Sequence, residues 1–285
     1  MLAEAEPGRR PGAGRTVLLL GGILILGAAL WLVATGQSGI RYTADHDGTV
    51  PMWTGWVPAL VGIVAVRLVP PAASPAWPDR VAAPYREAVP LLVAGVVFAT
   101  ALPLLGGEPW YTLLKVTLLF GVPVLVFRLS RPTWRPSPAP GDAAHRYGPV
   151  LPVAVWFVLS YATPLARPTS DYGRTVDTAV LVGTLVVAFL VNALLEEVFY
   201  RRWLQTRWES ILGRWPAIVL ASLCWAAWHV GIQGTGRVGD DLASVAVNQG
   251  VTGLFLGYLW SRYRRMWPLL VVHGAINAVP VLLGL

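Results

Sequence analysis

Apolar runs long enough to cross a bilayer recur along the whole chain, and they leave few folds open to it. They cover Thr16 to Thr35, Trp53 to Val69, Ala88 to Leu105, Trp110 to Leu129, Val150 to Leu165, Val176 to Glu197, Pro216 to Ile232, Leu242 to Trp260 and Met266 to Leu285. Roughly twenty apolar residues in helical form span the hydrocarbon of a membrane, where the backbone must satisfy its own hydrogen bonds. The expectation is an all-α, polytopic integral membrane bundle of about nine transmembrane helices. Composition agrees: 55% of residues are hydrophobic and only 13% charged, with a mean hydropathy of +0.57.

The net charge of +7 does not point to nucleic acid, because the basic residues are scattered between apolar runs and are nearly all arginine. They read as topology signals. With the amino terminus cytoplasmic, sixteen arginines fall in the inner segments, against Arg41, Arg167, Arg174 and Arg237 outside. A multi-pass protein of the cytoplasmic membrane is expected, in contact with lipid. Its first run reads as an uncleaved helix, being long for a signal-peptide core. The single cysteine, Cys224, leaves no disulfide framework and no Cys-based metal site.

Three stretches divide the chain. Residues 1–15 are a basic cytoplasmic tail, 16–148 hold accessory transmembrane helices, and 149–285 hold the motif-bearing core, with the polar motifs inside 194–277. The boundary is placed in the Pro-, Gly- and Ala-rich loop from Arg131 to Gly148.

Glu196 and Glu197 close one apolar run, and a carboxylate in low dielectric costs several kcal/mol unless it is paired or protonated. Glu197 and Arg201 share a helix face at i,i+4 in the acid-first order, so Glu197 has a local partner and Glu196 has none nearby in sequence. Two later runs carry Trp225 with His229, and His273 with Asn277. Gly213 and Pro216 read as a helix stop and start, which folds the Glu196 and His229 runs into an antiparallel hairpin with both residues nearly equidistant from the turn. Counting 1.5 Å per residue from Arg202 and Met266 places Glu196 and His273 about 10 Å below one face, the cytoplasmic one.

Glu196 with His229 can activate a water, and His273 with Asn277 can supply donors for the anionic tetrahedral intermediate. No certain cofactor is implied. Zinc is the one metal to consider, since Glu196, His229 and His273 make a His₂Glu set with an open position. A proton-coupled transporter or an immunity-type membrane protein would draw on the same buried polar residues. Single intramembrane His or Asn residues also serve plain helix–helix hydrogen bonding, which is the expected role of Asn248 and Gln249. Asp45, His46 and Asp47 read as a solvated turn, His145 as loop, and Arg67 and Lys115 as residues that snorkel or line a cavity.

Glu-Glu-x-x-x-Arg at Glu196, Glu197 and Arg201, Trp225-x-x-x-His229, and His273-x-x-x-Asn277 together resemble the motifs of the CPBP family, the type II CAAX prenyl proteases with their bacteriocin-processing and abortive-infection relatives. The resemblance covers roughly Val176 to Leu285. It implies an intramembrane endopeptidase with a cavity open to the cytoplasm, acting on a peptide or membrane-protein substrate. Glu196 and His229 would be its water-activating pair, His273 and Asn277 its oxyanion donors, and Arg201 would orient the acidic pair. Trp225 departs from the family's usual Phe but keeps an aromatic wall.

Overall fold

A computed structural model describes residues 11–42, 48–69, 85–130 and 146–285. The expected turns at Asp45 to Asp47 and at His145 lie outside the described residues. Helices stand where the apolar runs predict them: α1 (Pro11–Ala34), α2 (Trp53–Leu68), α3 (Tyr85–Leu105), α4 (Trp110–Ser130), α5 (Val150–Tyr161), α6 (Thr178–Leu212), α7 (Arg214–Gln233), α8 (Val238–Tyr263) and α9 (Met266–Leu282). The protein is an all-α membrane bundle. Six of these helices, α1, α3, α4, α6, α7 and α8, are long and apolar enough to cross a bilayer by length and composition. α2, α5 and α9 are shorter, and the 12 residues of α5 reach only about 18 Å at 1.5 Å per residue.

One small strand pair, β1 (Gly39–Arg41) and β2 (Thr49–Pro51), runs antiparallel with Ile40 opposite Val50 between α1 and α2. Both residues are buried and pack with Leu32, Met52, Ala243 and Val247, which fixes the hairpin over the start of α8.

The sixth helix runs past its apolar stretch, which ends at Glu197, to the expected stop before Gly213, and Arg201, Gln205, Arg207 and Glu209 on that extension are all buried among protein instead of emerging at a surface. Arg207 donates to Glu87 on α3 at 2.8 Å, Gln205 to Glu209 at 2.8 Å, and Arg264 pairs with Glu209. Inside the bundle such charges persist because each has a partner. The helix stops at Gly213, whose φ of +90° a side-chain-bearing residue resists, and α7 starts at once.

α8 is the bundle's axis: most of its spanning window is buried, whereas α1 turns Leu19, Ile23, Leu26 and Leu30 outward, each more than 60% exposed. That contrast sorts core from lipid-facing helices, since outward leucines need an apolar solvent. Close approach to α8 depends on small residues. A Cβ on Gly253 would lie 2.8 Å from Ser222 of α7, and one on Gly62 of α2 would lie 2.5 Å from the Phe255 ring.

Candidate active site

Three helices supply the predicted residues, and they meet around the indole of Trp225. α6 offers Glu196 and Glu197 on a short α-helical stretch, Leu195–Glu197, set between wide π-helical turns at Ala188–Leu194 and Val198–Gln205. Such widened turns re-aim side chains and recur at functional sites. α7 offers Trp225 and His229; its regular winding lapses at Trp228 and His229 before the last turn, Val230–Gln233. α9 offers His273 and Asn277. α4 contributes Lys115, read from the sequence as a residue that snorkels or lines a cavity.

Glu196 is buried, and both its oxygens are engaged. The Trp225 Nε1–H donates to Oε2 at 2.5 Å, and the Lys115 ammonium lies 2.5 Å from Oε1. Glu197 receives Arg201 Nε at 3.3 Å on Oε2, the i,i+4 pair read from the sequence, and His273 Nδ1 at 2.8 Å on Oε1. His273 Nε2 faces Glu196 Oε2 at 4.0 Å. The His229 Nδ1 lies 3.0 Å from the Trp225 carbonyl, which can only accept, so Nδ1 carries the proton and Nε2 keeps its lone pair. His229 stacks on Trp228 with ring centroids 3.8 Å apart, and His273 meets Trp225 edge-on at 5.5 Å.

Two cations, Lys115 and Arg201, thus balance two carboxylates in a buried cluster. Each partner removes a desolvation cost that the lone charge would carry. Lys115 is held by Asn192 Oδ1 at 2.8 Å and by the Tyr111 hydroxyl, and sits over the rings of Tyr111 and Trp228. Glu196, with no partner nearby in sequence, finds one 81 positions earlier, on α4. A signal was present. Lys115 is the sole lysine of the chain, in mid-span, where every other basic residue is arginine. Asn192 and Tyr111 carried no comparable mark.

A cavity of about 420 Å³ exposes this cluster, lined by Glu196, Trp225, Trp228, His229, His273 and Asn277 together with Tyr111 and Asn192. Asn277 Nδ2 is buried with no hydrogen-bond partner among the described residues, so a donor is left unused beside the cavity. Asn248 and Gln249 line the same space. Gln249 makes the expected interhelical contact, its Nε2 donating to Gln233 of α7 at 2.7 Å, whereas Asn248 Oδ1 accepts at 3.4 Å from Arg167 in the segment after α5. An apolar groove of about 400 Å³ runs beside it between α6 and α9, bordered by Phe189, Leu270, Val271 and Gly274, and shares Leu185, Ala188 and Asn277 with the cavity.

The zinc set fits poorly. An ammonium already occupies one oxygen of Glu196, His273 Nδ1 is committed to Glu197, and among the described residues no three His, Cys, Asp or Glu groups converge at ligand distance. A divalent ion at Glu196 would have to displace or face Lys115.

Residues 178–279, from the start of α6 to the last turn of α9, match the family model described as Type II CAAX prenyl endopeptidase Rce1-like. The motif-bearing segment is Rce1-like. The match encloses Glu196, Glu197, Arg201, Trp225, His229, His273 and Asn277, and excludes Lys115. No curated protein and no solved structure gives a match. The chain is thus a bundle of apolar, membrane-type helices whose motif-bearing segment, about a third of its length, is similar to a protease family.

Proposed function

We propose that the chain is an intramembrane endopeptidase of the cytoplasmic membrane in which Glu196 and His229 activate the attacking water. The observation that carries this reading is that Glu196 and Glu197 are linked to both motif histidines through Trp225 and His273, around one cavity that holds all four proposed groups.

A water between Glu196 and His229 Nε2 gives up a proton as its oxygen attacks the scissile carbonyl carbon. The resulting oxyanion is met by the free Asn277 Nδ2–H₂ and by His273. Because Nδ1 of His273 is committed to Glu197, its Nε2 donates only when the ring is doubly protonated, and Glu197 is the counter-ion for that state. Arg201 holds the other oxygen of Glu197 and thereby keeps it aimed at His273. The proton taken from water then passes to the amide nitrogen, the C–N bond breaks, and an acid and an amine leave. Lys115 pairs with Oε1 of Glu196 and fixes the carboxylate in place. The neighbouring groove between α6 and α9 offers an apolar bed for the membrane-embedded part of the substrate, next to Asn277.

Glu196→Gln and His229→Ala, compared with the unaltered protein by mass spectrometry of whole-membrane peptides, are expected to accumulate uncleaved precursors. Unchanged processing in both variants sinks the assignment, and uptake or resistance that depends on Glu196 with no cleaved product would favour a transporter or immunity role. In purified protein, cleavage that persists in excess chelator is expected, given the ammonium beside Glu196; loss on chelation with recovery on added zinc would overturn the metal-free route.

A further inference from the structure

Asn192 stands one turn before Glu196 on α6, and both side chains line the same cavity. Its carboxamide is held from α4: Oδ1 accepts from the Lys115 ammonium at 2.8 Å and from the Tyr111 hydroxyl at 2.9 Å. An ammonium has only N–H groups to give, so the atom that faces Lys115 must be the oxygen, and the amide cannot be turned over. The same ammonium touches Oε1 of Glu196. One cation thus sets the direction of both the acid and the amide.

With Oδ1 doubly engaged, Nδ2 and its two N–H groups are directed away from Lys115. Asn192 is half-buried, and among the described residues its Nδ2 donates to nothing. Holding Lys115 does not call for those donors, because a carboxylate at this position would hold an ammonium and a phenol more strongly. Two fixed N–H groups beside a cavity suit an acceptor brought in from outside, and a peptide carries one carbonyl per residue. Spacing decides which carbonyl. Neighbouring turns of a helix set side chains about 6 Å apart, and an extended chain advances roughly 3.5 Å per residue, so the amide meets a carbonyl one or two residues from the bond that faces Glu196.

We propose that Asn192 is a substrate-binding residue, which donates to a main-chain carbonyl one or two residues from the scissile bond and so takes the substrate as an extended segment. This rests on the endopeptidase reading, with Asn277 and His273 kept as the donors to the oxyanion. A carbonyl inside a helix is already engaged by its own backbone, so the bound segment is unwound where Asn192 holds it. The test uses purified full-length protein and a library of quenched-fluorescent decapeptides, of which the best-cleaved member is taken. In that peptide each amide within two residues of the cleaved bond is replaced in turn by a trans-alkene, which keeps the chain's shape and removes the acceptor. One replacement is expected to raise KM of the unaltered protein by about 10-fold, the worth of one hydrogen bond. Asn192→Leu should raise KM for the parent peptide by a similar factor with kcat little changed, and should no longer distinguish that alkene from its parent. Asn192→Asp keeps an acceptor for Lys115 and Tyr111 but loses both N–H groups, and the same loss of discrimination is expected of it. Discrimination that survives in either variant, or a fall in kcat alone, overturns the proposal, the latter because Asn192 would then act only through Lys115 on Glu196. If Glu196→Gln abolishes cleavage while the Asn192 variants keep their discrimination, the peptidase reading stands and only this contact fails; if Glu196→Gln cleaves the parent peptide as well as the unaltered protein does, the peptidase reading fails and this proposal with it.

Discussion

Trp225 does more than wall the cavity, because its indole N–H is one of two donors on the acid proposed to activate water. A phenylalanine would keep the ring and lose the donor. Trp225→Phe should therefore lower kcat by about 10-fold, the worth of a hydrogen bond to a charged group, with little change in thermal stability. Asn277→Ala removes a donor with no other partner among the described residues, and the expected loss is about 10²- to 10³-fold in kcat with KM nearly unchanged. A kinetic split in which KM alone rises would make Asn277 a binding residue. Glu197→Gln probes the partner of His273: with the carboxylate acceptor weakened to an amide, kcat should fall by about 10-fold with little change in thermal stability, and an unchanged kcat would refute that role.

At the scale of elements, helix contact depends on glycines where two backbones nearly touch. Gly253 of α8 faces Ser222 of α7, so Gly253→Leu should force the two helices apart and cost about 1–3 kcal/mol, read as a lower unfolding temperature in detergent. Misplacing α7 also moves Trp225 and His229, so activity should fall before the fold is lost. The stop at Gly213 was legible because a glycine followed by a proline two residues into a new apolar run is a known helix boundary, and the structure places the turn there. The burial of the last turns of α6 was not legible: Gln205, Arg207 and Glu209 find partners only across the bundle, in Gly257, Glu87 and Arg264.

Across the whole molecule, the accessory helices are part of the site. Lys115 of α4 is the ionic partner of Glu196 on α6, and removing one member of a buried pair leaves the other charge stranded. Lys115→Met should destabilise the protein by about 3–5 kcal/mol, and Lys115→Met with Glu196→Gln should recover a large part of that loss in a double-mutant cycle of thermal unfolding. Additive losses would show that the two charges do not interact. The sequence by itself determined the class of the molecule and marked its candidate site: runs of apolar residues cannot be solvated by water, and acids, imidazoles and an amide inside such runs need a reason to be there. It also marked the Glu197–Arg201 pair, because helical periodicity makes i,i+4 neighbours without any help from the rest of the chain. The tertiary structure alone decided that Lys115 neutralises Glu196 and that Glu197 serves His273. Those are contacts between segments far apart in the chain, and helical spacing carries no information about which faces of different helices will meet.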